Sequence, residues 1–162
     1  MVRDETASGE RAIEQSSADS TDYRFPLAIY KPVSASNVAV SIRFKAIAGR
    51  NDRAGGLIIR ALDPERYYVL RANALENNVR FYRVMNSSRE LIESTNLKVP
   101  SNEWHTLVLR AEADRFTASF NGQQLFTATD RTITRAGRIG LWTKSDSVIR
   151  FDRMAIQLLP TS

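Results

Sequence analysis

The stretch from Val38 to Ala46 sets the strongest limit on how this chain can fold. Val38, Val40, Ile42, Phe44 and Ala46 share one parity and are all apolar, while Ser41, Arg43 and Lys45 fall on the other. Successive side chains of a β-strand point to opposite sides, so a two-residue period marks a strand with one buried and one solvated face. Similar short runs follow at Gly56–Leu62, Tyr67–Asn73, Val79–Met85, Thr106–Ala111, Arg115–Phe120, Leu125–Thr129, Arg138–Lys144 and Val148–Leu158. Nine or more such strands in 162 residues, with no helix of ordinary length, predict an all-β antiparallel sandwich of two sheets.

The connections agree. Asn121–Gly122, between Phe116–Phe120 and Leu125–Thr129, reads as a tight hairpin because both residue types accept positive φ at little cost. Asp63–Pro64, Asn77–Asn78, Asn86–Ser87–Ser88 and Pro100–Ser101–Asn102 mark further turns. Residues 1–22 are polar, with Val2 and Ile13 as their sizeable apolar residues, and read as an N-terminal tail or extended lead-in. A single sandwich domain is expected over residues 23–160. Arg24, Pro26, Lys31 and Pro32 around Tyr23–Ile29 are what a guarded sheet edge carries. That edge is expected to be covered by residues 10–20 of a monomer, the favoured case, or by the same edge of a second copy.

Composition removes several functional classes. No apolar run approaches the roughly 20 residues of a membrane helix, and none follows Met1 as in a signal peptide, so a soluble domain without a membrane partner is expected. Without cysteine there is no disulfide framework, thiol nucleophile or cysteine-held metal. His105 is the only histidine, which excludes a multi-histidine metal cluster; following Trp104 at a strand start, it reads as a half-buried structural residue. No phosphate-cradling glycine loop or zinc signature occurs. The net charge is +5, and acidic residues are interspersed with the basic ones, so no continuous phosphate-tracking stripe, and no nucleic-acid partner, is expected.

Strand parity then singles out one face. Leu57, Ile59 and Ala61 form an apolar set, which sends Ile58 and Arg60 to the opposite side. By the same rule Tyr68, Leu70, Ala72, Val79, Phe81, Ile139 and Leu141 turn inward. The outward set collects Arg60, Arg71, Asn73, Arg80, Tyr82, Trp142 and Lys144. Aromatic rings stack on the flat apolar faces of sugars, and planar guanidinium forks grip hydroxyls or carboxylates. These residues are therefore the candidate ligand-binding set for a carbohydrate, acidic ones included.

Three segments carry a family resemblance: Asn51–Leu57, Tyr67–Val79 and Gly137–Ser147. They resemble the concanavalin A-like domains grouped with the 3-keto-disaccharide hydrolases. The resemblance implies a jelly-roll sandwich with a concave face used for carbohydrate, and secreted or periplasmic residence in bacteria. Relatives begin with a Trp-containing strand ahead of the segment matched by Ile13–Glu14–Gln15 and Tyr23–Pro26, so a curtailed sheet edge is expected here.

Catalysis is supported by the resemblance alone. Glycosidases use two carboxyl groups about 5–10 Å apart. Laminarinase-type members of the fold carry Glu-x-Asp-x-x-Glu, and the nearest match, Glu112, Asp114 and then Thr117, lacks the last carboxylate. Glu65, Glu76, Glu93 and Asp146 read as solvated loop charges, so the catalytic residues stay unassigned. No resident cofactor is expected; calcium could be held weakly by oxygens of Asn51, Asp52 or Asp146. The leading expectation is a carbohydrate-binding module. A glycoside hydrolase of the 3-keto-disaccharide kind and a laminin-G-like protein-interaction module are the alternatives.

Overall fold

The alternating runs assemble into two antiparallel sheets packed face to face in a computed structural model, which describes residues 1–7, 9, 11–17 and 25–161. In chain order the strands are β1 (Val2–Arg3), β2 (Arg11–Gln15), β3 (Leu27–Ala35), β4 (Val38–Ala48), β5 (Ala54–Asp63), β6 (Arg66–Asn73), β7 (Asn78–Met85), β8 (Ser88–Asn96), β9 (Trp104–Glu112), β10 (Arg115–Phe120), β11 (Gln123–Thr129), β12 (Gly137–Thr143) and β13 (Val148–Leu158). A seven-stranded sheet has the order β1-β2-β13-β4-β9-β10-β11, and a six-stranded sheet the order β3-β12-β5-β6-β7-β8. No α-helix occurs among the described residues.

The inner faces fill the core that parity predicts. Val40, Ile42 and Phe44 of β4, with Leu107 and Leu109 of β9, meet Leu57, Tyr68, Leu70 and Phe81 of the opposite sheet, all without solvent contact. Each large apolar side chain removed from water contributes about 1.5–3 kcal/mol, so this layer dominates the stability. Tyr68, Phe81 and Phe116 lock the sheets together through ring contacts of 4.6–5.5 Å between centroids. The Asn121–Gly122 hairpin forms as expected, with φ of 50° and 83°, and pairs Phe120 with Gln123.

The N-terminal residues join the seven-stranded sheet. Arg11–Gln15, read from sequence as part of a tail or lead-in, pairs with β13, and Val2–Arg3 pairs with β2. Asp4 fastens this layer: its buried carboxylate accepts from Lys45 Nζ at 2.8 Å and Arg150 Nη1 at 2.9 Å. Thr6 adds a hydrogen bond from Trp104 Nε1 at 2.7 Å. These donors hold the Asp4 carboxyl well below the usual carboxylate range, Lys45 contributing most.

The expectation that residues 10–20 run along the Tyr23–Ile29 edge is corrected, because their strand-forming part belongs to the opposite sheet. β3 is itself an edge strand, paired with β12 alone. It carries an exposed Lys31 and Pro32 within the strand, which is where an edge tolerates a missing N–H. Tyr23 and Arg24 lie outside the described residues.

Candidate functional site

The outer face of the six-stranded sheet is organised in rows across its strands. Register places Trp142 beside Gly56, Gly56 beside Arg71, and Arg71 beside Arg80. In neighbouring rows Val69 faces Tyr82 and Asn73 faces Asn78. Five of the seven predicted residues, Arg71, Asn73, Arg80, Tyr82 and Trp142, thus share one face. Lys144 follows β12 and pairs with Asp52 at 3.1 Å, while Asp52 accepts from Asn73 Nδ2 at 3.2 Å. Gly56 permits the close approach of β5 to β6, since a Cβ there would lie 2.1 Å from the Leu70 carbonyl oxygen and 2.7 Å from Arg71 Cα.

Arg60 does not belong to this face. Its φ is 48°, and the β5–β12 register steps from Arg138 opposite Ala61 to Gly140 opposite Ile58, so one extra residue of β5 is bulged out. The bulge inverts parity beyond Ile59. Ala61, expected in the main core, joins the outer apolar cluster, and the Arg60 guanidinium turns to the end of the sandwich. There it donates to the carbonyls of Ser36 (2.9 Å), Ile133 (2.8 Å) and Ala113 (2.6 Å) and lies 5.0 Å from the Phe116 ring centre.

One half of the face is apolar and closed. Ile58, Tyr67, Val69, Tyr82, Val84 and Trp142 form a second buried cluster with Phe25, Leu27 and Ile29 against it. Trp142, expected to be an exposed platform, is only 1% accessible. Phe25 stacks on it at 5.6 Å between centroids and 18° between planes, and Thr143 N donates to Pro26 O at 3.1 Å. The Arg89 guanidinium lies 4.4 Å from the Tyr82 ring centre and 5.7 Å from that of Phe25. The aromatic surface that could receive a flat sugar ring is therefore occupied by the chain's own Phe25.

The other half is polar and cationic. Arg71 Nη1 donates to Asn78 Oδ1, and its Nη2 reaches Glu76 at 3.4 Å and the Tyr82 hydroxyl at 3.5 Å. Arg80 Nη1 donates to the same hydroxyl at 3.2 Å. Burial alone would raise the Tyr82 phenol, but Arg80, Arg71 and Arg89 outweigh it and hold the group below its ordinary value. Burial lowers Arg71, whereas the Tyr82 contact raises Arg80. Arg80 Nε is buried without a hydrogen-bond partner, an arrangement that costs about 1–3 kcal/mol. Asn73 Oδ1 accepts from the Leu75 and Glu76 amides, fixing the turn that carries Glu76.

Sequence reasoning missed Arg89 and Asn78 and read Glu76 as a solvated charge. Asn78 has the signal of lying opposite Asn73 across a short turn; Arg89 sits on an edge strand with little alternation. The other candidates have structural employment. The Asp146 carboxylate, a suggested calcium ligand, accepts from the amides of Arg50 (2.7 Å), Asn51 (3.2 Å) and Asp52 (3.1 Å), which outweigh burial and lower its pKa. His105 is buried between Pro100 O at 2.8 Å and Asn121 Nδ2 at 3.1 Å. Glu112 and Asp114 pair with Arg110 and Arg131, far from the six-stranded face in topology. No group of three acidic, histidine or cysteine side chains converges as a metal cage among the described residues.

Comparison with known proteins places these features in a family and a fold. Residues 5–157 match the 3-keto-alpha-glucoside-1,2-lyase-like domain. A search of the curated proteins finds no match by sequence. Among solved structures, the carbohydrate binding module CBM66 from Bacillus subtilis superposes with a TM-score of 0.74 at 20% identity, over 85% of this chain and 94% of that one. A lichenase, a β-1,3-1,4-glucanase from a mouse hindgut metagenome, gives 0.61 at 13% identity, covering 79% and 69%. Sheep galectin-11 gives 0.58 at 10% identity, covering 82% and 96%. These likenesses establish the concanavalin A-like jelly-roll sandwich expected from the sequence.

Proposed function

This chain belongs to the 3-keto-alpha-glucoside-1,2-lyase-like domain family, and on that footing we propose that the outer face of its six-stranded sheet binds carbohydrate. The observation that carries the reading is the convergence of Arg71, Arg80 and Tyr82 through one hydroxyl, flanked by Asn73, Asn78 and Glu76. Sugar hydroxyls need donors and acceptors held in fixed directions. The buried Arg71, Asn73 and Asn78 hold one another and Glu76 in place, and the partly exposed Arg80 and exposed Glu76 offer a guanidinium and a carboxylate to a ligand. The apolar half adjoins it, with Trp142 and Tyr82 as ring surfaces beneath Phe25 and Arg89. Structural likeness to a carbohydrate binding module and to galectins supports the same ligand class.

A glycan array followed by calorimetry tests the reading. The partly exposed Arg80 is the variant of choice, because Arg80→Ala removes a donor with little loss of core. Binding that survives Arg80→Ala and Asn73→Ala unchanged, in folded protein, places the ligand elsewhere and refutes the proposal.

A second reading is favoured by the family's own description, cleavage of 3-keto-α-glucosides by elimination. Such a reaction begins by removing a proton beside a carbonyl, which needs a base and a cation for the developing oxyanion. Tyr82, lowered by its arginines, is the proton acceptor this cluster offers, and Arg71 and Arg80 are the cations. Incubation with a 3-keto-α-glucoside, compared with heat-killed protein and with Tyr82→Phe, decides it: no product above the control leaves the binding reading alone.

A further inference from the structure

We infer that the cationic half of this face selects an acidic carbohydrate, one that presents carboxylate or sulfate oxygens to the partly exposed Arg80. The inference rests on the carbohydrate reading above and names its ligand class. Three guanidinium groups, Arg71, Arg80 and Arg89, surround the Tyr82 ring and hydroxyl. Glu76 is the carboxylate within ion-pair reach of this group, at 3.4 Å from Arg71. Among the described residues neither Arg80 nor Arg89 forms a salt bridge, and the three guanidinium charges share Glu76, whose charge also acts on Arg80.

The donor pattern of Arg80 is specific. Its Nη1 is committed to Tyr82 and its Nε is buried, so among the described residues Nη2 is the donor left for an incoming anion. A charge-assisted hydrogen bond from that Nη2 to a carboxylate or sulfate oxygen is shorter and stronger than one to a neutral hydroxyl. A neutral sugar hydroxyl can accept from this donor but leaves its charge uncompensated. Tyr82 reports the same field: its phenol is stabilised as an anion by cations that an incoming anion would share. The adjacent Lys144 is already neutralised by Asp52 at 3.1 Å and adds no competing site.

Calorimetry on the full chain tests this with trigalacturonate, its methyl ester, and a sulfated trisaccharide with its desulfated form. The acid is expected to bind about tenfold more tightly than the ester, the gain of one charge-assisted hydrogen bond, and to weaken as salt is raised. Arg80→Gln should bring acid and ester within about twofold of each other, and Arg80→Lys, which keeps the charge on a shorter side chain, should restore part of the gap. Tighter binding of the sulfated ligand instead would identify sulfate as the source of the anionic oxygens. Equal affinity for charged and neutral partners overturns the inference while leaving the carbohydrate reading intact. Absence of binding to every glycan tested overturns both. Melting curves of each variant confirm that it is folded.

Discussion

Arg60→Ala should unfold this protein more readily rather than blind it to ligand. Strand parity sends Arg60 to the binding face, whereas the bulge at its positive φ turns it to the end of the sandwich. There it spans three carbonyls, Ser36 O, Ala113 O and Ile133 O, that no strand ladder satisfies. A buried acceptor left without its partner costs about 1–3 kcal/mol. The Ile133 bond is fully buried and takes the upper part of that range, while the other two are partly reachable by water and take the lower part. With the loss of the contact to Phe116, the sum is about 4–5 kcal/mol. For a domain of this size that corresponds to a fall in Tm of roughly 10–15 °C. Urea titration and thermal melting read it directly. Arg60→Lys should recover less than half of the loss, since one ammonium cannot reach three divergent carbonyls. A loss below about 1 kcal/mol, together with impaired glycan binding, would refute the bulge argument and return Arg60 to the ligand.

Three further outcomes follow from particular contacts. Asp4, Asp130 and Asp146 all bind protons less readily folded than unfolded, so their stabilisation is complete above their ordinary value of 3.8 and is lost as pH falls through the lower folded values; Tm measured against pH should drop below about pH 4, and Asp4→Asn should remove part of that slope and open residues 1–7 to proteases. Gly122→Val forces a β-branched residue to a φ of 83° and should cost about 1–2 kcal/mol in urea titration, while Gly122→Asn should cost less, because asparagine accepts a left-handed φ. Phe25→Ala removes the ring stacked on Trp142; in a Trp104→Phe background, the remaining tryptophan emission should shift to the red and become open to iodide quenching.

The legible parts of the fold are those where one face is fully dry. Val38–Ala46 alternates because its partner layer excludes water, and β5, β6, β7 and β12 were readable for the same reason. β3 and β8 are sheet edges with mixed exposure on both faces, so their sequences carry no clean period. Parity assigned Arg71, Asn73, Arg80, Tyr82 and Trp142 to one face correctly, since β6, β7 and β12 run past them without a bulge. It failed at Arg60 because a single left-handed residue inverts every side chain after it and leaves no mark in the apolar pattern. It also could not show that Trp142 is covered, because the covering ring, Phe25, comes from a distant part of the chain. The convergence of Arg89 and Glu76 on Tyr82 and Arg71 is likewise a product of sheet register, not of spacing along one strand.

The central claim, that carbohydrate binds on the outer face of the six-stranded sheet, is tested most directly by amide and guanidinium NMR shifts during titration with the tightest glycan from an array. Shifts should concentrate at Arg71, Asn73, Asn78, Arg80, Tyr82 and Arg89, with Thr106, Arg110 and Thr117 of the opposite sheet unmoved. Shifts centred on Arg110 and Thr117, or on the sandwich end around Arg60 and Arg131, would contradict it.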